Sequence, residues 1–308
     1  MAMQTLQNTP AENKSFYVKT LLTRLLPKLI FLDIADTTDL PNNEGTTVKW
    51  RRFEDLPDDD DAILQEGVTP EGNHSDVTAI TAELEQHGDY SVVTDKLKKH
   101  GIDPVIVEYS ELHGERAAKI LNRRVRNAIR TGTQVVRPNG RATADAITSS
   151  DKITCDLILD VVTQLRDNNV EPFDDGYYRG LIDAKTAKDI MKDPDWKELV
   201  THTGGEQMKK GEVGCIHGVK FKESSLSYSA MNEAASPVRV HHSIILGKHA
   251  VGVVDPDGLK PDIIIKEAEK NGSEDPLNQR NSIGWKLDFA TARLNEKCII
   301  RVEAAATE

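Results

Sequence analysis

Hydrophobic residues recur along the chain at two different periods, and the period decides the element. Between Lys14 and Leu26 the apolar positions Phe16, Val18, Leu21, Leu22, Leu25 and Leu26 fall at helical spacing, and Pro27 ends the run. In TTVKWRRF, Val48, Trp50 and Arg52 alternate with Lys49, Arg51 and Phe53, the two-residue period of a strand. A second alternating run, VTAITAELEQ, begins at Val77. The stretch between them is rich in Asp, Gly and Pro, and it exceeds the roughly 12–15 residues usual for loops inside compact domains. It reads either as an unusually long loop or as part of a two-stranded arm projecting from the body. Such an arm has exposed edges and needs a neighbour to cover them.

The strongest helical signal runs from Pro104 to Thr131. Asp103 suits the N-cap, Pro104 the first helical position, and Gly132 the C-terminal stop. Ile106, Leu112, Ala117, Ile120, Leu121, Val125, Ala128 and Ile129 make up its apolar face, and at about 1.5 Å per residue it reaches roughly 40 Å, across a whole domain. A second helix is expected over Ser150–Asn168, with Ile153, Leu157, Ile158, Val161, Val162 and Leu165 on one side. YYRGLID reads as a strand leading into a helix through Ala187 and Ile190. GVKF and VRVHHSIILG read as strands, GKHAVGVVD as a short helix or turn, and GWKLDFATARLNEKCIIRVE as a two-stranded hairpin turning near Asn295. There is no internal repeat, strict βα alternation or heptad pattern, and the mixture implies an α+β fold.

Charge narrows the function. The 308 residues carry a formal net charge of −11, which disfavours a general nucleic-acid-coating role. Aromatics at 5% disfavour base-stacking platforms. The apolar stretch from Leu21 to Ile34 is interrupted by Arg24, Pro27, Lys28 and Asp33, so no membrane span is expected. No signal peptide is visible, and the three separated cysteines, Cys155, Cys215 and Cys298, suit buried thiols in a reducing compartment.

Candidate chemistry is sparse. Asp58–Asp61 lack the calcium-loop spacing and read as a solvated loop tip, and DPDGLKPD reads as a turn. The glycines between Gly204 and Gly218 lead into no Gly-Lys-Ser/Thr, so a nucleotide site is not indicated. Cys215 and His217 have no second pair to complete a zinc site. His241 and His242 should point to opposite sides of their strand, one of them to the core. No catalytic, cofactor or metal site is therefore expected. Arg123, Arg124, Arg126 and Arg130 crowd the end of the long helix. They either complement the helix dipole as a solvated face or pair with acidic arms of neighbouring chains, for which the 54–66 stretch is a source. Together with Trp50, Arg51 and Arg52 they are the candidate subunit-interface residues.

Several stretches in order carry a resemblance. LTRLLPKLIFLD, GTTVKWRRFEDL, EGVTPEGNHSDVTAITAELEQHGDYSVVTDKL and GERAAKILNRRVRNAIRTGT are followed by DPDW, GEVGCIHGVKFKES, IILGKHAVGVVD and DPLNQRNSIGWKLDFATARLNEKCIIRVE. In this order they resemble a major capsid protein of tailed bacteriophages, in the group of the virion-polymerase podophage coat proteins. The resemblance implies the Hong Kong 97-like capsid fold. Its parts would be an N-terminal arm (1–40), an extended two-stranded loop (41–90) and a peripheral domain with the spine helix (91–169, helix 104–131). An axial domain (170–283) and C-terminal strands returning to the peripheral domain (284–308) would complete it. It further implies self-assembly as hexamers and pentamers into a head that encloses double-stranded DNA without sequence-specific binding. The location would be the virion, after assembly in the host cytoplasm. Portal and decoration proteins would be partners. So would a separate scaffolding protein, because no long helical extension precedes the fold. The rival readings are a cellular nanocompartment shell and a cytoplasmic α+β enzyme with an unrecognised site.

Overall fold

A computed structural model describes residues 31–41, 45–54, 56, 66–67, 72, 74–100, 105–202, 213–255, 261–268 and 275–307. The helix expected over Lys14–Leu26, the N-cap and first position of the long helix, the Asp58–Asp61 tip and most of the glycine-rich segment lie outside these residues. The chain passes through β1 (Asp36–Asp39), β2 (Thr47–Phe53), β3 (Val77–Glu83) and β4 (Glu85–Thr94), then α1 (Asp95–His100) and the long α2 (Val105–Arg130). Next come β5 (Val135–Val136), α3 (Cys155–Asp167), β6 (Tyr178–Ile182), α4 (Ala184–Lys192) and α5 (Pro194–His202). The remainder is strand: β7 (Cys215–Ile216), β8 (Val219–Glu223), β9 (Ser229–Met231), β10 (Arg239–Leu246), β11 (Val251–Asp255), β12 (Asp262–Lys266), β13 (Arg280–Arg293) and β14 (Ile299–Ala305).

These strands form two larger sheets and one isolated pair. In the first sheet β13 is the axis. It pairs antiparallel with β4 from Arg280↔Thr94 to Phe289↔Glu85, with β12, and near its end with β11, which in turn pairs parallel with β1. The second sheet runs β5-β14-β10-β6-β8-β7, with β9 added to β10. The isolated pair is β2 and β3, antiparallel from Thr47↔Glu83 to Phe53↔Val77. Its burial alternates as the sequence predicts: Val48, Trp50 and Arg52 are half-buried, while Lys49, Arg51 and Phe53 are exposed.

Helix α2 ties the two larger sheets together. Ala117, Ala118 and Leu121 pack on Trp285, Leu287 and Phe289, alternate residues and hence one face of β13. One to two turns later Val125 and Ile129 enter the main core, among Ile158, Val161 and Leu165 of α3 and Ile244 and Ile245 of β10. Leu112, expected on the apolar face, is 56% exposed. It precedes Leu121 by nine residues, about 180° around the helix, so both cannot face the sheet. The buried stripe at that end runs instead through Ser110, His113 and Gly114, small or polar residues that hydrophobicity alone does not flag.

Three other expectations are corrected. Helix α3 starts at Cys155 rather than Ser150, because Thr154 is the cap, its hydroxyl accepting from Leu157 N at 3.3 Å. The residues before it are held by Asp151, whose carboxylate accepts from Asn139, Arg141 and both the backbone and hydroxyl of Thr148. GKHAVGVVD is a turn followed by strand β11. Val251, Val253 and Val254 are all fully buried, so a strand covered on both faces shows no alternation to read. Finally, β13 and β14 are not a hairpin. A 3-10 turn at Glu296–Cys298 carries the chain from the first sheet to the second, where β14 lies between β5 and β10. Alternation identifies strands but not their partners. Among the described residues no helix is long and apolar enough to cross a membrane.

Candidate subunit interface

The candidate residues fall into two groups, one at the root of the β2/β3 arm and one at the end of α2. At the root, the Trp50 ring rests against Gly252 of β11, where an added Cβ would meet it at 3.1 Å, and its Nε1–H donates to Thr38 Oγ1 at 3.4 Å. Beside it lies a cavity of about 460 Å³, lined among others by Trp50, Ile80, Leu294, Lys248 and His249. Arg52 donates to Glu54 at 2.7 Å and to the Leu294 carbonyl at 3.5 Å. Glu54 also accepts from the Thr78 hydroxyl across the strand pair at 2.7 Å. Those two hydrogen bonds, Thr78 first and Arg52 second, hold its carboxyl below the ordinary value. This cluster pins the two strands to each other and to the body, whereas Arg51, on the opposite face, points into solvent.

The helix-end arginines divide in two. Arg123 and Arg124 are exposed; Arg124 pairs with Glu85 of β4 at 3.4 Å, and Arg123 has no ion pair among the described residues. Arg126 and Arg130 turn inward. The Arg130 guanidinium lies 3.8 Å from the centre of the Tyr228 ring, and Tyr228 meets His242 edge-on at 4.9 Å. Arg126 sits 5.7 Å from the same ring and donates to the Leu226 carbonyl and Asn127. Burial lowers its affinity for its proton, helped by Arg123 and Arg130. This half of the cluster therefore fastens α2 to the 226–228 segment of its own chain.

Sequence reading missed one surface. On β13, Ser282 and Gly284 alternate with the helix-facing residues and so look away from α2, alongside Tyr90 and Val92 of β4 and Ile264 of β12. Tyr90 is 70% exposed, and Val92 and Ile264 are also exposed, around a shallow depression of about 670 Å³. Gly284 is required there, because a Cβ would come within 2.9 Å of the Tyr90 side chain directly across the ladder. The signal was present in the spacing of Gly88, Tyr90 and Val92, but a loop boundary expected at residue 90 cut through it. The three cysteines form no disulfide; Cys155 and Cys298 are buried and Cys215 partly so, and burial pushes the Cys155 thiol up to about 12.

No family model and no curated protein matches the chain. Solved structures do. The capsid of the cyanophage P-SCSP1u is similar over 90% of this chain and 88% of its own, at 15% identity and a TM-score of 0.67. The capsid of Ralstonia phage GP4 covers 89% and 88% at 10% identity and a TM-score of 0.68, and that of the cyanophage Pam1 covers 89% and 88% at 13% identity and 0.63. The chain thus has the Hong Kong 97-like α+β fold of tailed-phage capsid proteins that its sequence led us to expect.

Proposed function

We propose that the chain is the major coat subunit of a tailed-phage head, closing with copies of itself into an icosahedral shell around double-stranded DNA. The observation that carries this reading is the fold match along some nine-tenths of the chain. Two surfaces support it physically. Among the described residues the β2/β3 pair bonds to no other strand, and Tyr90, Val92 and Ile264 stand exposed on one face of the first sheet. The inner face of the pair packs on its own chain, but its outer face and the exposed sheet face suit a subunit buried among neighbours. Arg51 and Arg123, on exposed surfaces, are the candidate residues for contacts between chains, with Arg124 adjoining.

In this reading residues 1–40 are an arm and 41–90 the extended loop. The sheet around β13 with α2 is the peripheral domain, and the sheet around β10 is the axial domain. Strands β11 and β12, inside the 170–283 segment assigned to the axial domain, pair with β13, and β14, inside the 284–308 segment assigned to the peripheral domain, pairs with β10, so the reading takes the two domains by sheet. Hexamers and pentamers, a separate scaffolding protein, a portal, decoration proteins and assembly in the host cytoplasm belong to the same proposal. Each contact between subunits need only be modest, since a closed shell sums several per chain. Negative-stain microscopy and sedimentation of the protein, expressed alone and with its genomic neighbours, test it. Shells, tubes or hexamer-sized rings are expected. A strictly monomeric species under every condition would overturn it.

A further inference from the structure

A cavity of about 430 Å³ opens where α4 begins beside β9 and β10. Its lining is polar, with two cations, three hydroxyls, an imidazole and the Asp183 carboxylate. Arg239 and His241 lie two apart, on one face of β10, and His241 is paired directly across the ladder with Ser229. Ser225 and Ser227 add two more hydroxyls from the preceding segment, and Lys185 adds an ammonium from the first turn of α4. Neither Lys185 nor Arg239 has an ion pair among the described residues, and both are exposed.

The imidazole is the fixed element of this arrangement. His241 is only 6% exposed, and its Nδ1 lies 2.8 Å from Asp183. That contact leaves Nε2, which has no partner among the described residues, as the nitrogen free to meet a ligand in the cavity. Asp183 occupies the N-cap position of α4, and its carboxylate holds His241 and accepts from the Thr186 hydroxyl. Burial would raise its pKa, but those two hydrogen bonds outweigh burial and hold it at about 2.

We propose that this cavity binds an oxyanion of the phosphate class. Two cations and three hydroxyls converge from two strands, a loop and a helix, around the paired Asp183 and His241. A tetrahedral anion with three or more acceptor oxygens can use donors from that many directions, whereas a planar carboxylate offers two oxygens in one plane. The same chemistry could come from inorganic phosphate or from the phosphodiester backbone of enclosed DNA.

The test uses the full-length protein, before and after assembly. Inorganic phosphate is titrated against chloride at matched ionic strength by calorimetry, and a duplex of about 20 base pairs is titrated at low salt, where phosphate contacts dominate. Saturable phosphate binding is expected in the wild type. Lys185→Gln with Arg239→Gln should weaken it about tenfold or more, because charge-assisted hydrogen bonds are lost. Both side chains are exposed, so the double variant should fold; Ser227→Ala is a milder companion that leaves the charge unchanged. A parallel loss of duplex affinity would identify the phosphodiester as the source, and loss for inorganic phosphate alone would identify the free anion. No phosphate binding by the wild type, or equal binding by the double variant, would overturn the proposal. Shell formation, scored separately by microscopy, reports on the coat-subunit reading and not on this site.

Discussion

The second sheet and the β2/β3 arm treat polar groups in opposite ways. Inside the sheet, Glu303 of β14 is almost fully buried yet accepts from Arg137 at 2.7 Å and Arg301 at 2.8 Å. Asp151, with no exposed surface, has its carboxylate saturated by four donor groups, and Asp189 closes the C-terminal end by accepting from Thr307 at 2.7 Å. The arm has only a thin interior, where Ala82, Val48 and Trp50 pack on Val254 and Ala290 of the first sheet. Its other face is open to water, Phe53 is 72% exposed, and its side-chain hydrogen bonds lie at Trp50 and around Glu54. One region satisfies its polar groups within the chain, and the other keeps one face open to water.

That contrast is broken most directly at the arm. Replacing residues 55–76 by an Asn-Gly turn should leave the facing ends of β2 and β3 joined and the protein folded by circular dichroism, yet abolish shell formation in sedimentation. Normal shells would show that the arm is not an assembly element. The converse test is Glu303→Ala. It strands Arg137 and Arg301 in the second sheet and should cost about 3–5 kcal/mol in urea unfolding, since breaking a buried pair leaves uncompensated charge. A loss below about 1 kcal/mol, the range of exposed pairs, would mean the interior is less complete than it looks.

Smaller effects sharpen the boundary between the regions. Arg123→Glu with Arg124→Glu should change unfolding free energy by no more than about 1 kcal/mol, because both side chains are exposed and only Arg124 has a partner, while reducing the yield of shells. Unchanged yield would assign these arginines to solvation alone. The mildest prediction concerns acid. Burial, the largest cause, depresses the His242 pKa to about 4, so the folded state resists the proton that the unfolded chain accepts near 6.5. Stability from this group is complete above about pH 6.5 and declines as pH falls toward 4, so His242→Phe should flatten the pH dependence of the urea midpoint in that window. An unchanged slope would mean that His242 is not the group responsible.

The arm and the long helix were legible because their signals are local: a two-residue period in TTVKWRRF, and a stop at Gly132 for α2. What escaped the sequence depends on distant partners. Nothing near Arg126 and Arg130 announces Tyr228, roughly a hundred residues on, so their inward turn could not be read. The phase of α2 was misread at Leu112 because close packing on the sheet selects Gly114 and Ala118 over larger apolar residues. His241 and His242 were expected on opposite sides of their strand with one toward the core, and His241 is the buried one; what the sequence could not show is what each meets. One is held by Asp183 and the other rests on Tyr228.

The length of α2 has a mechanical consequence. A single run of helical hydrogen bonds enters the β13 sheet at one end and the main core at the other, so the two sheets cannot swing apart without bending a 26-residue rod. Packed interiors deform little, which makes the pair of sheets behave as one stiff plate. A shell of the proposed kind, built from such plates, would take up its changes in angle at the seams between them rather than within them.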